Sequence, residues 1–121
     1  MAINKVLLVD DSPMDLANIR GIVADAGYSV LTATTGTEAI EVAKNERPDL
    51  IFMDIVMQGA DGYDACRIIS QDGDTRRIPV VFVSSKNQKA DRVWAELQGG
   101  KAYITKPFTP EQILDQITAL N

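Results

Sequence analysis

The chain has no histidine, a single cysteine and no apolar run longer than a strand. Without imidazole there is no Ser-His-Asp or Cys-His catalysis, no histidine metal site and no phosphohistidine of its own. The lone Cys66 cannot form an internal disulfide and fits a reducing, cytoplasmic setting. No stretch approaches the roughly 20 apolar residues of a membrane span. The start, Met1-Ala2-Ile3-Asn4-Lys5, has no apolar stretch behind a basic segment, so neither membrane insertion nor a secretory leader is expected. Basic residues number 12 against 17 acidic ones, and a net charge of −5 is the wrong sign for direct binding of nucleic acid. Any metal must be held by oxygen, which favours Mg²⁺, Mn²⁺ or Ca²⁺.

What is present is ordinary for a globular protein: 121 residues, 45 % hydrophobic and 24 % charged, enough for one domain over 1–121. Strand-like and helix-like segments alternate. The pattern predicts strands over 5–10, 28–33, 50–54, 79–84 and 102–105. Ser12-Pro13, Thr35 with Glu38, and Thr109-Pro110 with Gln112 carry helix-starting chemistry. Gly27 and Gly99-Gly100 are placed to stop helices, and residues 59–62 read as a turn. Leu16, Ile19, Val23 and Ala26 recur at helical spacing, as do Ile113, Ile117 and Leu120. In the helix expected over 88–98, Val93 and Leu97 form the inward pair, and Trp94 beside them suits a core or a docking role equally. Cys66 and Ile68-Ile69 read as packing, and Arg76-Arg77 as a solvated loop. Alternation of this kind implies right-handed crossovers and a parallel sheet, a doubly wound α/β domain.

Three of the expected strands end in residues suited to phosphate chemistry. Val6-Leu7-Leu8-Val9 runs into Asp10-Asp11, Leu50-Ile51-Phe52-Met53 into Asp54, and Ala102-Tyr103-Ile104-Thr105 into Lys106-Pro107. Parallel strands place these ends side by side, so three carboxylates and an ammonium share one crevice. Carboxylates ~5 Å apart repel by about 3 kcal/mol at an effective dielectric near 20, so a proton or a cation must compensate. Alone, Asp10 or Asp11 reads best as helix-capping chemistry. Asp54, between four apolar residues and Ile55-Val56-Met57, has no capping role, and Lys106 adds the counter-charge. Ser84 brings a hydroxyl to the end of the fourth strand, within reach of a phosphoryl group on Asp54; Ser85 is the alternative cap for the next helix.

These residues, in this order, resemble the receiver domain of two-component response regulators, the CheY-like family. The motifs are Val9-Asp10-Asp11-Ser12, Met53-Asp54-Ile55, Val83-Ser84-Ser85 and Tyr103-Ile104-Thr105-Lys106-Pro107-Phe108. The resemblance implies a flavodoxin-like five-stranded sheet in the order 2-1-3-4-5, with helices on both faces. It implies that Asp54 accepts a phosphoryl group from a histidine kinase or phosphotransfer protein. Asp10, Asp11, Asp54 and the carbonyl of Val56 would hold Mg²⁺, Lys106 would pair with the phosphoryl oxygens, and Ser84 would hydrogen-bond one of them. The peptide before Pro107 would be cis. Ser84 and Tyr103 would form the switch, Tyr103 a half-buried strand aromatic with its hydroxyl in water until phosphorylation turns it inward. Output would pass to a partner protein through the face built by the fourth helix, fifth strand and fifth helix. Val56 and Lys86 lie where the family sets the lifetime of the phosphoryl group.

Ser84-Ser85-Lys86-Asn87-Gln88, Asp91-Arg92-Val93-Trp94 and Gln98-Gly99-Gly100 further resemble stand-alone twitching-motility receivers of the PilH and PilG type. That likeness implies pilus-based motility or phototaxis and chemotaxis signalling, with a phosphate sink in such a relay as the alternative. Two departures stand out. Gln58 follows Met57 where proline is common, which loosens the loop 58–60, and Ser84 replaces the more usual threonine. Three rivals are weaker. A Mg²⁺-dependent aspartyl-phosphate phosphatase wants an aspartate where Val56 stands. A flavin binder wants a phosphate-cradling loop where Asp10-Asp11-Ser12-Pro13 stands. A degenerate receiver would lack some of the phosphorylation residues, and all are present.

Overall fold

A computed structural model describes residues 2–57 and 61–121. Five strands, β1 (Lys5–Val9), β2 (Ser29–Ala33), β3 (Leu50–Met53), β4 (Val80–Ser84) and β5 (Ala102–Thr105), alternate with five helices. These are α1 (Pro13–Asp25), α2 (Gly36–Glu46), α3 (Gly62–Gln71), α4 (Lys89–Leu97) and α5 (Pro110–Leu120). All strand pairings are parallel, in the order β2-β1-β3-β4-β5, as the family resemblance implies. Each strand stops within a residue of its expected end.

Strand periodicity divides the core in two. Leu7, Val9, Ile51, Met53, Val80 and Phe82 face Ala39, Ala43, Ala65, Cys66, Ile69 and Ala95 on α2, α3 and α4. Val6, Leu8, Leu50, Phe52, Val81, Val83 and Ile104 face Ile19, Val23, Ile113 and Ile117 on α1 and α5. Apolar side chains therefore occupy both faces of the central strands, which is why those segments read as unbroken apolar runs.

The helix starts follow the local chemistry. Ser12 Oγ accepts from the Asp15 N–H at 3.3 Å, with Pro13 in the first turn. Thr109 and Gln112 form a reciprocal capping box. Thr35 Oγ1 accepts from Glu38 N, but the Glu38 carboxylate reaches back to Thr34 N rather than to the cap itself. Gly27, at φ +97°, ends α1 in the left-handed region, where a Cβ is penalised.

Three expectations fail. The fourth helix buries only Ala95, while Val93, Trp94 and Leu97 are all exposed. The reason is aromatic: Phe82, flanked by Tyr63 and Tyr103, fills the space beneath α4. Gly100 lies so close that an added Cβ would stand 2.7 Å from the Phe82 ring, so the helix packs on rings through small residues. Ile68 is exposed too, although Cys66 and Ile69 are buried. Ser85 caps nothing; α4 starts at Gln88, whose N–H donates to Asp91 at 3.2 Å. The expected looseness of 58–60, and most of the turn expected over 59–62, lies outside the described residues.

Candidate functional site

The order β2-β1-β3 means the chain crosses from β1 to opposite sides of the sheet, and the C-terminal ends of β1 and β3 open a crevice. Backbone pairing aligns the residues that follow the strands. Asp54 N donates to the Val9 carbonyl at 2.9 Å, Asp10 N to Ala33 at 3.1 Å and Lys106 N to Ser84 at 2.9 Å. Asp10, Asp11 and Asp54 thus converge, each offering an oxygen within 4.8 Å of the others. Asp10 and Asp54 are buried and Asp11 stands exposed at the rim.

Lys106 supplies the counter-charge. Its Nζ lies 2.8 Å from Asp10 Oδ2, 2.9 Å from Asp15 Oδ2 and 3.6 Å from Asp54 Oδ2. Burial works against the ammonium, but the hydrogen bonds to Asp10 and Asp15 and the charges of Asp54 and Asp10 outweigh it and raise its pKa. Asp54 is placed the other way. Burial pushes its carboxyl up to about 6; Lys106 pulls it down, Asp10 pushes it up, and the Ile55 N–H, 2.8 Å from Oδ1, steadies the carboxylate. Asp10 Oδ1 accepts from Ser12 N at 2.9 Å, tying the acidic pair to the start of α1.

Oxygen ligands crowded into one buried corner, with one ammonium against several carboxylates, fit a hard divalent cation. Sequence reasoning found Asp10, Asp11, Asp54 and Lys106, and the structure brings all four together. It missed Asp15, whose contact with Lys106 spans 91 positions and leaves no periodic signal; its only trace is an acidic residue in a helix's first turn.

Ser84 is fully buried, and its Oγ accepts from Lys86 N at 3.3 Å. The Lys106-Pro107 peptide is cis. Tyr103 departs from expectation. Its hydroxyl, expected to meet water alone, donates to the Lys86 carbonyl at 2.6 Å at the surface. The half-buried ring lies 6.4 Å from Phe82, with the Arg92 guanidinium 5.2 Å from its centre. Val56 and Lys86 are both exposed beside the crevice, and Arg76 and Arg77 are exposed in their loop.

A doubly wound sheet in this strand order, with an acidic crevice and a lysine reaching into it at the switch point, defines an α/β domain of the receiver type. Residues 6–118 match the profile of the response regulator receiver domain. The chain belongs to that family. It is 39 % identical over 116 residues to protein PilH of Pseudomonas aeruginosa, covering 96 % of each chain. It is 33 % identical to PilG of the same organism, over 95 % of this chain and 85 % of that protein. Among solved structures, the chemotaxis protein CheY4 of Vibrio cholerae superposes with a TM-score of 0.92 at 28 % identity, covering 99 % of this chain and 100 % of that one. The receiver domain of a Pseudomonas aeruginosa sensor histidine kinase, solved with magnesium in its active site cleft, gives 0.90 at 28 % identity over 98 % of both chains.

Proposed function

We propose that this receiver accepts a phosphoryl group on Asp54 and relays its arrival to a partner protein. The observation that carries the reading is the shared corner itself: an ammonium 3.6 Å from a buried carboxylate whose neighbours are two further carboxylates. An Asp54 oxygen attacks the phosphorus of a phosphohistidine, the P–N bond breaks and the leaving imidazole takes up a proton. The acyl phosphate that results is met by Lys106, which is positioned to pair with its oxygens. Asp10, Asp11, Asp54 and the carbonyl of Val56 would hold Mg²⁺, which when bound neutralises charge on the phosphoryl oxygens.

Phosphorylation adds roughly −1.5 to −2 charges and strong acceptors. Ser84 then turns its hydroxyl from Lys86 N to the phosphoryl group. The loop 85–88, also held by Tyr103 through the Lys86 carbonyl, shifts with it. That loop leads into α4, where Val93, Trp94 and Leu97 are exposed, beside a groove of about 450 Å³ lined by Arg92, Glu96 and Tyr103. The α4–β5–α5 face is the output surface. Likeness to PilH and PilG supports a cytoplasmic stand-alone receiver in a pilus-motility or chemotaxis-type relay. None of the described helices is long and apolar enough to cross a membrane.

The test is incubation with acetyl phosphate and Mg²⁺, read by intact mass. One phosphoryl group should be gained, and Asp54→Asn or EDTA should abolish the gain. Labelling that persists in Asp54→Asn would remove this residue from the role.

A further inference from the structure

Lys106 has a partner that phosphoryl chemistry at Asp54 does not require. We infer that Asp15 is a positioning residue: it holds the Lys106 ammonium on the α1 side of the crevice and competes with the phosphoryl group for it. This inference rests on the receiver reading above.

The ammonium has three donors. Two make short contacts, to Asp10 at 2.8 Å and to Asp15 at 2.9 Å, while Asp54, the atom group that would carry the phosphoryl, lies at 3.6 Å. Of the two short contacts, only the one to Asp15 lies outside the carboxylate cluster that contains Asp54. Asp10 belongs to the three-carboxylate cluster that suits a cation, and its charge is largely neutralised when one binds. No oxygen of Asp15 belongs to that cluster, so a cation held there leaves the Asp15–Lys106 contact in place.

The carboxylate is also fixed in place. Asp15 lies in the first turn of α1, its own N–H capped by Ser12 Oγ, where the helix end favours a negative side chain. Its side chain is 46 % exposed, against 17 % for Lys106, so removing its charge leaves no buried orphan. Without Asp15 the ammonium keeps Asp10 and is free to close on Asp54 or on whatever Asp54 carries. The device biases the receiver toward releasing its phosphoryl group.

Beryllofluoride, made from beryllium chloride and sodium fluoride in excess Mg²⁺, is the equilibrium probe, titrated by fluorine NMR. Asp15→Asn should bind about three- to tenfold more tightly than wild type, the scale of a partly exposed ion pair, and Asp15→Glu should stay within about twofold of it. In a Lys106→Ala background the gain should vanish, because the effect is routed through the ammonium. If that background binds too weakly to titrate, the Lys106 side-chain nitrogen resonance decides. In Asp15→Asn without probe it should move toward its position in the probe-bound wild type. Unchanged or weaker binding by Asp15→Asn, an equal gain without Lys106, or a stationary resonance overturns the inference. Wild type that ignores beryllofluoride, or binding that survives Asp54→Asn, overturns the receiver reading instead.

Discussion

The Tyr103 hydroxyl and the Lys86 carbonyl, 17 positions apart in the chain, meet at 2.6 Å and fasten β5 to the loop that leads into α4. The same Lys86 gives its N–H to Ser84 Oγ at 3.3 Å. One loop residue is therefore held from both sides, by the end of β4 and by β5 at the sheet edge.

Tyr103→Phe keeps the ring against Phe82 and Arg92 and removes the hydroxyl that makes this hydrogen bond. The expected cost is about 0.5–1.5 kcal/mol in urea unfolding, with acetyl phosphate labelling of Asp54 retained. Amide exchange in the loop 85–88 should speed up. Unaltered exchange there would show that Ser84, not Tyr103, carries the restraint.

Asp54 gives the stability of the metal-free protein a pH dependence. Burial lifts its carboxyl from 3.8 to about 6, so the folded state binds that proton more tightly than the unfolded chain does. A raised pKa contributes stability that is fully present below the unfolded value and lost as pH rises through the folded one. In EDTA, wild type should lose stability between about pH 4 and about pH 6 for this reason. Asp54→Asn should be the more stable protein at neutral pH by about 1–2 kcal/mol, discounted for water at the crevice rim, with the advantage gone in acid. Adding Mg²⁺ at neutral pH should close the gap by stabilising wild type alone. Thermal unfolding across pH, with and without Mg²⁺, reads all of this.

The fold was legible because both faces of the central strands are buried: Val6-Leu7-Leu8-Val9 and Leu50-Ile51-Phe52-Met53 announce themselves as runs, and the capping residues bound the helices between them. The site was legible for the same reason, since parallel strands carry whatever follows them to one edge. Asp15 was not, because an ammonium reaching across from the far end of the chain obeys no period. Nor was the orientation of α4. Val93 and Leu97 share a helical face, as inward residues do, but three aromatic rings already occupy the volume below, and a sequence does not show which of two claimants fills a space.

Gly62 opens α3 directly over the end of β3. A Cβ there would collide with the Asp54 carbonyl and stand 2.8 Å from the Ile55 Cα, backbone atoms that cannot turn aside. Gly62→Ala should cost about 1–3 kcal/mol and slow labelling of Asp54, because relief requires shifting the peptide that aims the carboxylate. Gly73→Ala meets nothing within 4 Å and serves as the neutral control. Equal stability and labelling of the two variants would place the α3 start further from Asp54 than described.

On α4 the contrast lies between adjacent residues. Trp94 is 52 % exposed and Ala95 is 2 % exposed, although tryptophan is far the more apolar-rich side chain. Trp94→Ala should change urea stability by less than ~1 kcal/mol, as surface substitutions do. Ala95→Leu must force three further heavy atoms into the space that the rings of Phe82, Tyr63 and Tyr103 define, at about 1–3 kcal/mol. Val93→Ser and Leu97→Ser should follow Trp94, and all three should weaken partner binding without touching acetyl phosphate labelling. A loss of several kcal/mol in Trp94→Ala would mean that the helix presents its apolar face to the sheet after all, leaving the proposed output surface without its hydrophobic residues.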